Sequence, residues 1–358
     1  MCLQATGEVG DISGRRQLVI YSASHLIVDF ACFYMLMGAF SRGVSDAVWI
    51  STGFLTYNFI AFALQVPLGY FADKAKIQPA YFAVSGCLLV ALGSVPALHS
   101  WGKLGLCAFG NAMFHIGGGI DSLVNAKGKF ARSGIFISFG AIGVSVGTLA
   151  GKFNWLPAWA VLILPLACAV LQFLFCRRGG LSDMAAFAFK PSIIKRAAPV
   201  IYLSSLGIVI RAVVGAYTAV PWKSTVFLMI LPAICVFAGK LLGGFLADRF
   251  GAKPVALASL LVSAPLLSFF SSDIVLCCAG LLLFNVTTAV TLCVIVSKLP
   301  DNPGLAFGIT TLALFLGSAF SFFVVIPSEI RTYLLLAFIL AAAICILLTT
   351  ANKLKEEL

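Results

Sequence analysis

The chain is a succession of apolar runs, each about 20 residues long, separated by short charged, Gly/Pro or Asn/Asp punctuation. Coiled as a helix rising about 1.5 Å per residue, a run of that length crosses a hydrocarbon layer about 30 Å thick. Lipid cannot satisfy backbone polar groups, so such runs must be helices or strands of a closed barrel, and the period-two alternation of a barrel is missing. The punctuation predicts twelve spans, near 18–40, 46–70, 79–98, 103–125, 133–153, 157–176, 194–219, 224–246, 254–270, 273–297, 304–326 and 331–350. With 61% of residues hydrophobic and 10% charged, against about 45–50% and about 25% in soluble domains, no single aqueous core could absorb this surface. A cytosolic enzyme, a nucleic-acid-binding domain and a disordered chain are thereby excluded.

Charge orients the spans. With the amino terminus inside, 17 of the 24 Lys and Arg fall in inside loops and tails and 5 outside, leaving Arg211 and Lys240 within spans. The positive-inside rule therefore predicts both termini in the cytoplasm of a multi-pass cell-membrane protein. The polar residues 1–17 read as an uncleaved cytoplasmic tail and 351–358 as a second one. The eleven cysteines sit mostly within apolar runs and read as small buried hydrophobes. Asp46 and Asp273 read as helix N-caps, and Asp121 as a partner of Lys127 or Arg132.

Residues 177–193 form the longest inside connection and divide the spans into units at 18–176 and 194–350. The units share a repeat: GYFADKAKIQP at 69–79 aligns with GFLADRFGAKP at 244–254, pairing Gly69 with Gly244, Asp73 with Asp248 and Lys74 with Arg249. Parallel repeats of this kind build transporters whose substrate site lies at the midplane between the halves.

This loop, Gly-x-x-x-Asp-(Arg/Lys)-x-Gly-x-(Arg/Lys), resembles the signature loop of the major facilitator superfamily, with Lys76 replacing the second glycine in the first copy. Within that superfamily the chain is most similar to the fosmidomycin-resistance-type efflux branch, through His25-x-x-x-Asp29, Phe114-His115, Arg211 and LPDNPGLAFG at 299–308. The resemblance implies an all-α membrane protein of twelve transmembrane helices in two pseudo-symmetric six-helix bundles, with spans 1, 4, 7 and 10 lining a central cavity. It implies a gating role for Asp73, Lys74, Gly244, Asp248 and Arg249. Physically, glycine lets helices approach closely and an aspartate beside cations can latch a gate by charge pairing. Glycines 143, 147 and 151 give span 5 a smooth packing face.

Ionisable groups near the bilayer centre are expensive and usually functional. Asp29, His115 and Arg211 fall there by residue count, and His25 shares a helical face with Asp29. Arg211, His115, Asn111, Asn285 and Lys240 are the expected substrate contacts, and Asp29 with His25 the expected proton-coupling pair. Plainer roles stand beside these: Asp29 neutralising Arg211 or bonding His25 as a lock, His115 as packing, and Lys240 snorkelling to the inner face.

The expected function is secondary active transport of a small organic solute, an anion by virtue of Arg211, by rocking of the two bundles. Protons are the expected coupling ion and sodium the alternative. The partners are that solute, protons and the lipid bilayer, with no nucleic acid, and the expected oligomeric state is a monomer. Efflux is set ahead of uptake of a nutrient or drug-like solute. No Gly-x-x-x-x-Gly-Lys-(Ser/Thr) loop occurs, and no cofactor or metal is expected. The rival class is a non-transporting membrane enzyme or receptor on the same fold, for which His25, Asp29 and His115 could form a metal triad.

Overall fold

The computed structural model describes residues 2–44, 46–177 and 197–350, and among them no strand occurs. Most of the expected linker, the tail 351–358, and Arg178, Lys190, Lys195, Arg196, Lys353 and Lys355 lie outside the described residues.

In chain order the helices are α1 (Ser13–Gly43, helical from Cys2), α2 (Ala47–Lys74), α3 (Pro79–Gly93), α4 (Ser100–Ala126), α5 (Phe130–Phe153), α6 (Ala158–Phe175), α7 (Ala197–Tyr217), α8 (Val226–Phe250), α9 (Ala252–Phe269), α10 (Ile274–Val296), α11 (Pro303–Phe323) and α12 (Ser328–Thr349). Ten of these described helices are long and apolar enough to cross a membrane. The other two are α3, which has 15 residues, and α4, which has 27 but is richer in polar side chains.

Boundaries follow from local chemistry. Asp46 and Asp273 accept from backbone N–H groups at the starts of α2 and α10, as expected of N-caps. Pro79 and Pro303 occupy first-turn positions whose N–H has no helical partner. The repeat loop turns through Lys76 at φ 50° in the first copy and Gly251 at φ 93° in the second. A lysine thus adopts the left-handed backbone that glycine takes more readily, and the missing glycine does not abolish the turn.

Three helices depart from regular winding. α1 contains a π segment at Met35–Phe40 and α2 another at Phe59–Ala63. α10 is broken at Val286–Thr287, between Ile274–Asn285 and Thr288–Val296, where an uninterrupted span was expected.

Glycines set the closest contacts. A Cβ at Gly143, Gly147 or Gly151 would lie 2.3–2.5 Å from the carbonyl oxygens of Leu26, Phe30 and Tyr34, so the smooth face of α5 seats directly on the backbone of α1. Elsewhere α5 packs on α8 and α2 on α11, joining the parts of the chain before 177 and after 197. All ten described cysteines are free and nine are buried, in keeping with their reading as small hydrophobes.

Candidate functional site

Asp29 on α1 sits at the centre of a buried polar cluster. The helical spacing brings His25 one turn away, and its Nε2 lies 3.3 Å from Asp29 Oδ2. From α4, Asn111 donates its Nδ2 to Asp29 Oδ1 at 2.8 Å, and His115 Nε2 lies 3.9 Å from the same oxygen. The two histidines meet edge to face, with their Nε2 atoms 2.9 Å apart. Their other nitrogens face backbone oxygens: His25 Nδ1 is 2.8 Å from Phe136 O on α5, and His115 Nδ1 is 2.9 Å from Asn111 O. A carbonyl can only accept, so both Nδ1 atoms carry protons.

The expected residues His25, Asp29, Asn111 and His115 thus form one group, each less than 10% exposed. One nitrogen from each histidine and one Asp29 oxygen lie within 4.8 Å of one another, which is compact enough to enclose a small cation. Nitrogens ligating a tetrahedral zinc at about 2.0–2.1 Å would stand about 3.3 Å apart. The 2.9 Å between the Nε2 atoms is instead the length of a hydrogen bond.

Arg211 on α7 is 8% exposed and binds to the broken helix. Its Nη2 donates to Thr288 Oγ1 at 3.0 Å and to Phe284 O at 3.3 Å, and its guanidinium carbon lies 5.3 Å from the centre of the Phe284 ring. The break in α10 makes the Phe284 carbonyl available to it. Arg211 Nε is buried without a hydrogen-bond partner among the described residues. Asp29 makes no ion pair with Arg211 among the described residues, so the neutralising role is not the one seen, whereas the bond to His25 is. Lys240 on α8 is partly buried and within Coulombic range of both Asp29 and Arg211. Asn285 is less direct, since its side chain returns to Leu281 O on its own helix at 2.8 Å.

The two repeat aspartates act alike. Asp73, at the end of α2, accepts the N–H groups of Gly304 and Leu305 at the start of α11. Asp248, near the end of α8, accepts those of Phe130 and Ala131 at the start of α5. Each carboxylate thereby satisfies orphan donors at a helix N-terminus across the α2–α11 or α5–α8 contact. Gly69 and Gly244 permit the approach: a Cβ would lie 2.2 Å from Gly304 O in one case and 2.6 Å from Phe130 O in the other. Pairing of the aspartates with Lys74 and Arg249, the expected latch, does not occur among the described residues. Those cations lie over the rings of Tyr70 and Phe250 instead.

Several members of the site carried no readable sign in the sequence. Phe136 acts through its carbonyl and Gly140 through its missing side chain, where a Cβ would fall 2.4 Å from His25 Nε2 and 2.6 Å from Asp29 Oδ2. Above the latches, Thr311 on α11 donates to Phe62 O in the π segment of α2, and Phe139 meets Phe237 between α5 and α8. Asp121 accepts a hydrogen bond from Tyr21 at 2.7 Å, a partner not foreseen.

Among solved structures, the chain is similar to a major facilitator superfamily transporter, FucP, in the outward conformation, at 12% identity and a TM-score of 0.64 over 94% of this chain and 97% of that one. It is also similar to the E. coli fucose:proton symporter FucP in a variant form, at 12% identity and a TM-score of 0.61 over 92% and 96%. No family model and no curated protein matches the sequence. At that identity the likeness establishes architecture: the chain is an all-helical, multi-pass membrane protein with the fold of major facilitator superfamily transporters.

Proposed function

We propose that the chain is a secondary transporter that moves a small organic anion across the cell membrane by alternating access, coupled to protons and working in efflux. In this reading it belongs to the major facilitator superfamily, near the fosmidomycin-resistance-type branch. Twelve spans form two six-helix bundles, 18–176 and 194–350, and the protein acts as a monomer with both termini in the cytoplasm. The Asp73 and Asp248 latches then face the cytoplasm, and the described conformation opens outward.

The observation that carries the proposal is the pair of matching latches, each joining the two parts of the chain, together with the buried Asp29 and Arg211 in otherwise apolar helices. A protein that only needed to be rigid has no use for a charge buried at Arg211 with Nε left open. Arg211 with Lys240 favours an anion, and Asn111, His115 and Asn285 are proposed to line its path. Asp29 and His25 are proposed to handle the coupling proton.

The test is thermal stabilisation of purified protein in nanodiscs by a panel of carboxylates, phosphonates, sulfonates and cationic drug-like compounds, then counterflow of the strongest hit in proteoliposomes. Stabilisation by anions with measurable counterflow supports the proposal. Stabilisation by cations alone would reject the anion, and binding without counterflow would favour a receptor on the same fold.

A further inference from the structure

We propose that the coupling proton is held between His25 and His115, with Asp29 remaining ionised as its fixed counter-ion. This assignment rests on the proton-coupled reading above and adds His115 to the coupling machinery. With both Nδ1 atoms protonated by their carbonyl partners, each neutral ring presents a bare lone pair at Nε2. Two lone pairs facing at 2.9 Å would repel, whereas one proton between them makes an ordinary N–H···N hydrogen bond. The pair then carries one positive charge. The Asp29 carboxylate, 3.3 Å from one Nε2 and 3.9 Å from the other, balances it and accepts the Asn111 donor on Oδ1.

The groups around the pair fit this division of labour. Asp29 faces it from α1 and Lys240 from α8, with Arg211 beyond Lys240 and Tyr57 on α2 within range of Asp29. From α5 come the carbonyl and ring of Phe136 and the space left by Gly140. When the proton arrives it forms an Nε2–H bond on one ring, which donates to the other. When it leaves, both rings return to neutral and the two Nε2 atoms must separate.

That separation has a route to the latch. His25 is tied to α5 at Phe136, whereas His115 is tied to its own helix at Asn111. Pushing the rings apart therefore shifts α1 and α5 against α4. Six residues from Phe136, about 9 Å along the helix, α5 begins at Phe130, whose N–H is held by Asp248. Loss of the proton thus loads one of the two latches.

The chain has three histidines, so 15N-histidine labelling of the full chain in nanodiscs resolves them, with His99→Gln assigning the third. The expected spectrum shows Nδ1–H on both His25 and His115 and a single proton shared by their Nε2 atoms, a signal lost in His115→Gln. Two neutral rings at every pH at which the protein stays folded, or a neutral Nε2–H tautomer on either ring, overturns the bridge, and since the wild type is read directly this holds even if His115→Gln misfolds.

A second measurement places nitroxides at Lys129→Cys and Lys253→Cys, on either side of the α5–α8 latch that the route loads. Raising the pH should shift the ratio of open to closed distances by about 5- to 150-fold, the span of ordinary coupling energies, and His115→Gln should flatten the response. An unchanged pH response in folded His115→Gln rejects the role of the pair in coupling. A shared proton in the spectrum together with wild-type counterflow that ignores a pH gradient would instead remove the proton-coupled reading and leave the bridge.

Discussion

Asp73 and Asp248 stand 175 positions apart and make the same two bonds: each spans two successive backbone N–H groups at a helix start, at 2.8 and 2.9 Å. Among the described residues neither pairs with a side-chain cation. The two contacts therefore depend on carboxylate geometry, while the neighbouring Lys74 and Arg249 lie over the rings of Tyr70 and Phe250.

Asp248→Asn removes one of the two acceptor oxygens and the charge. A hydrogen bond to a charged group contributes about 1.5–3 kcal/mol, more at buried sites than at an exposed one such as Asp248. Transport should slow and the latch should open more often, while thermal stability changes little. Distance measurements between spin labels on α5 and α8 check this, and an unaltered open population would remove the gating role.

Arg211→Ala should weaken binding of the strongest stabilising anion about 100-fold or more, as expected when one member of a buried charged contact is truncated. Titration by intrinsic fluorescence or calorimetry reads it directly. Retained affinity would send the search for the anion contact to Lys240.

For Asp29→Asn the expected outcome is exchange without accumulation. The variant lacks the charge that balances the proton on the histidines, so a pH difference alone should no longer drive uphill flux. Concentration of the solute against its gradient by this variant would place the proton elsewhere.

Gly140→Ala introduces a Cβ about where His25 Nε2 and Asp29 Oδ2 now meet, at 2.4 and 2.6 Å. Overpacking of this sort costs about 1–3 kcal/mol. The variant should fold with a lowered melting temperature and lose pH-driven flux more completely than exchange. Wild-type coupling in a folded Gly140→Ala protein would show that the cluster tolerates rearrangement.

Orientation is open to a separate check. Cysteines placed at Lys74 and Arg177 should react with impermeant thiol reagents from the cytoplasmic side, and cysteines at Lys103, Lys223 and Arg331 from the opposite side. Labelling of positions 74 and 103 from one side would undo the predicted topology.

The helical architecture was legible because length and apolarity alone specify a span, and the glycines of α5 announced their contact by their spacing. His25 and Asp29 were legible because one turn of helix fixes their proximity. The meeting of His25 with His115 was not, since it depends on how α1 crosses α4. The latch partners were hidden for a different reason: Asp73 and Asp248 bind backbone N–H groups, which every non-proline residue offers. The expected pairing of Lys74 and Arg249 with these carboxylates is not seen, because adjacency in sequence does not amount to pairing in space. The break in α10 falls in Val286–Thr287, where no Gly or Pro marks it.

The π segment of α2 has a mechanical consequence. Phe59–Ala63 separates a lower section pinned to α11 by Asp73 from an upper section beginning at Ala47. Wider winding stores backbone that regular winding would release. The upper section can therefore slide or rotate by a fraction of a turn while the lower one keeps its grip, with the Thr311 bond to Phe62 O as the stop that holds the slack in place. Such a helix need not move as a single rod: its two sections can change register one after the other.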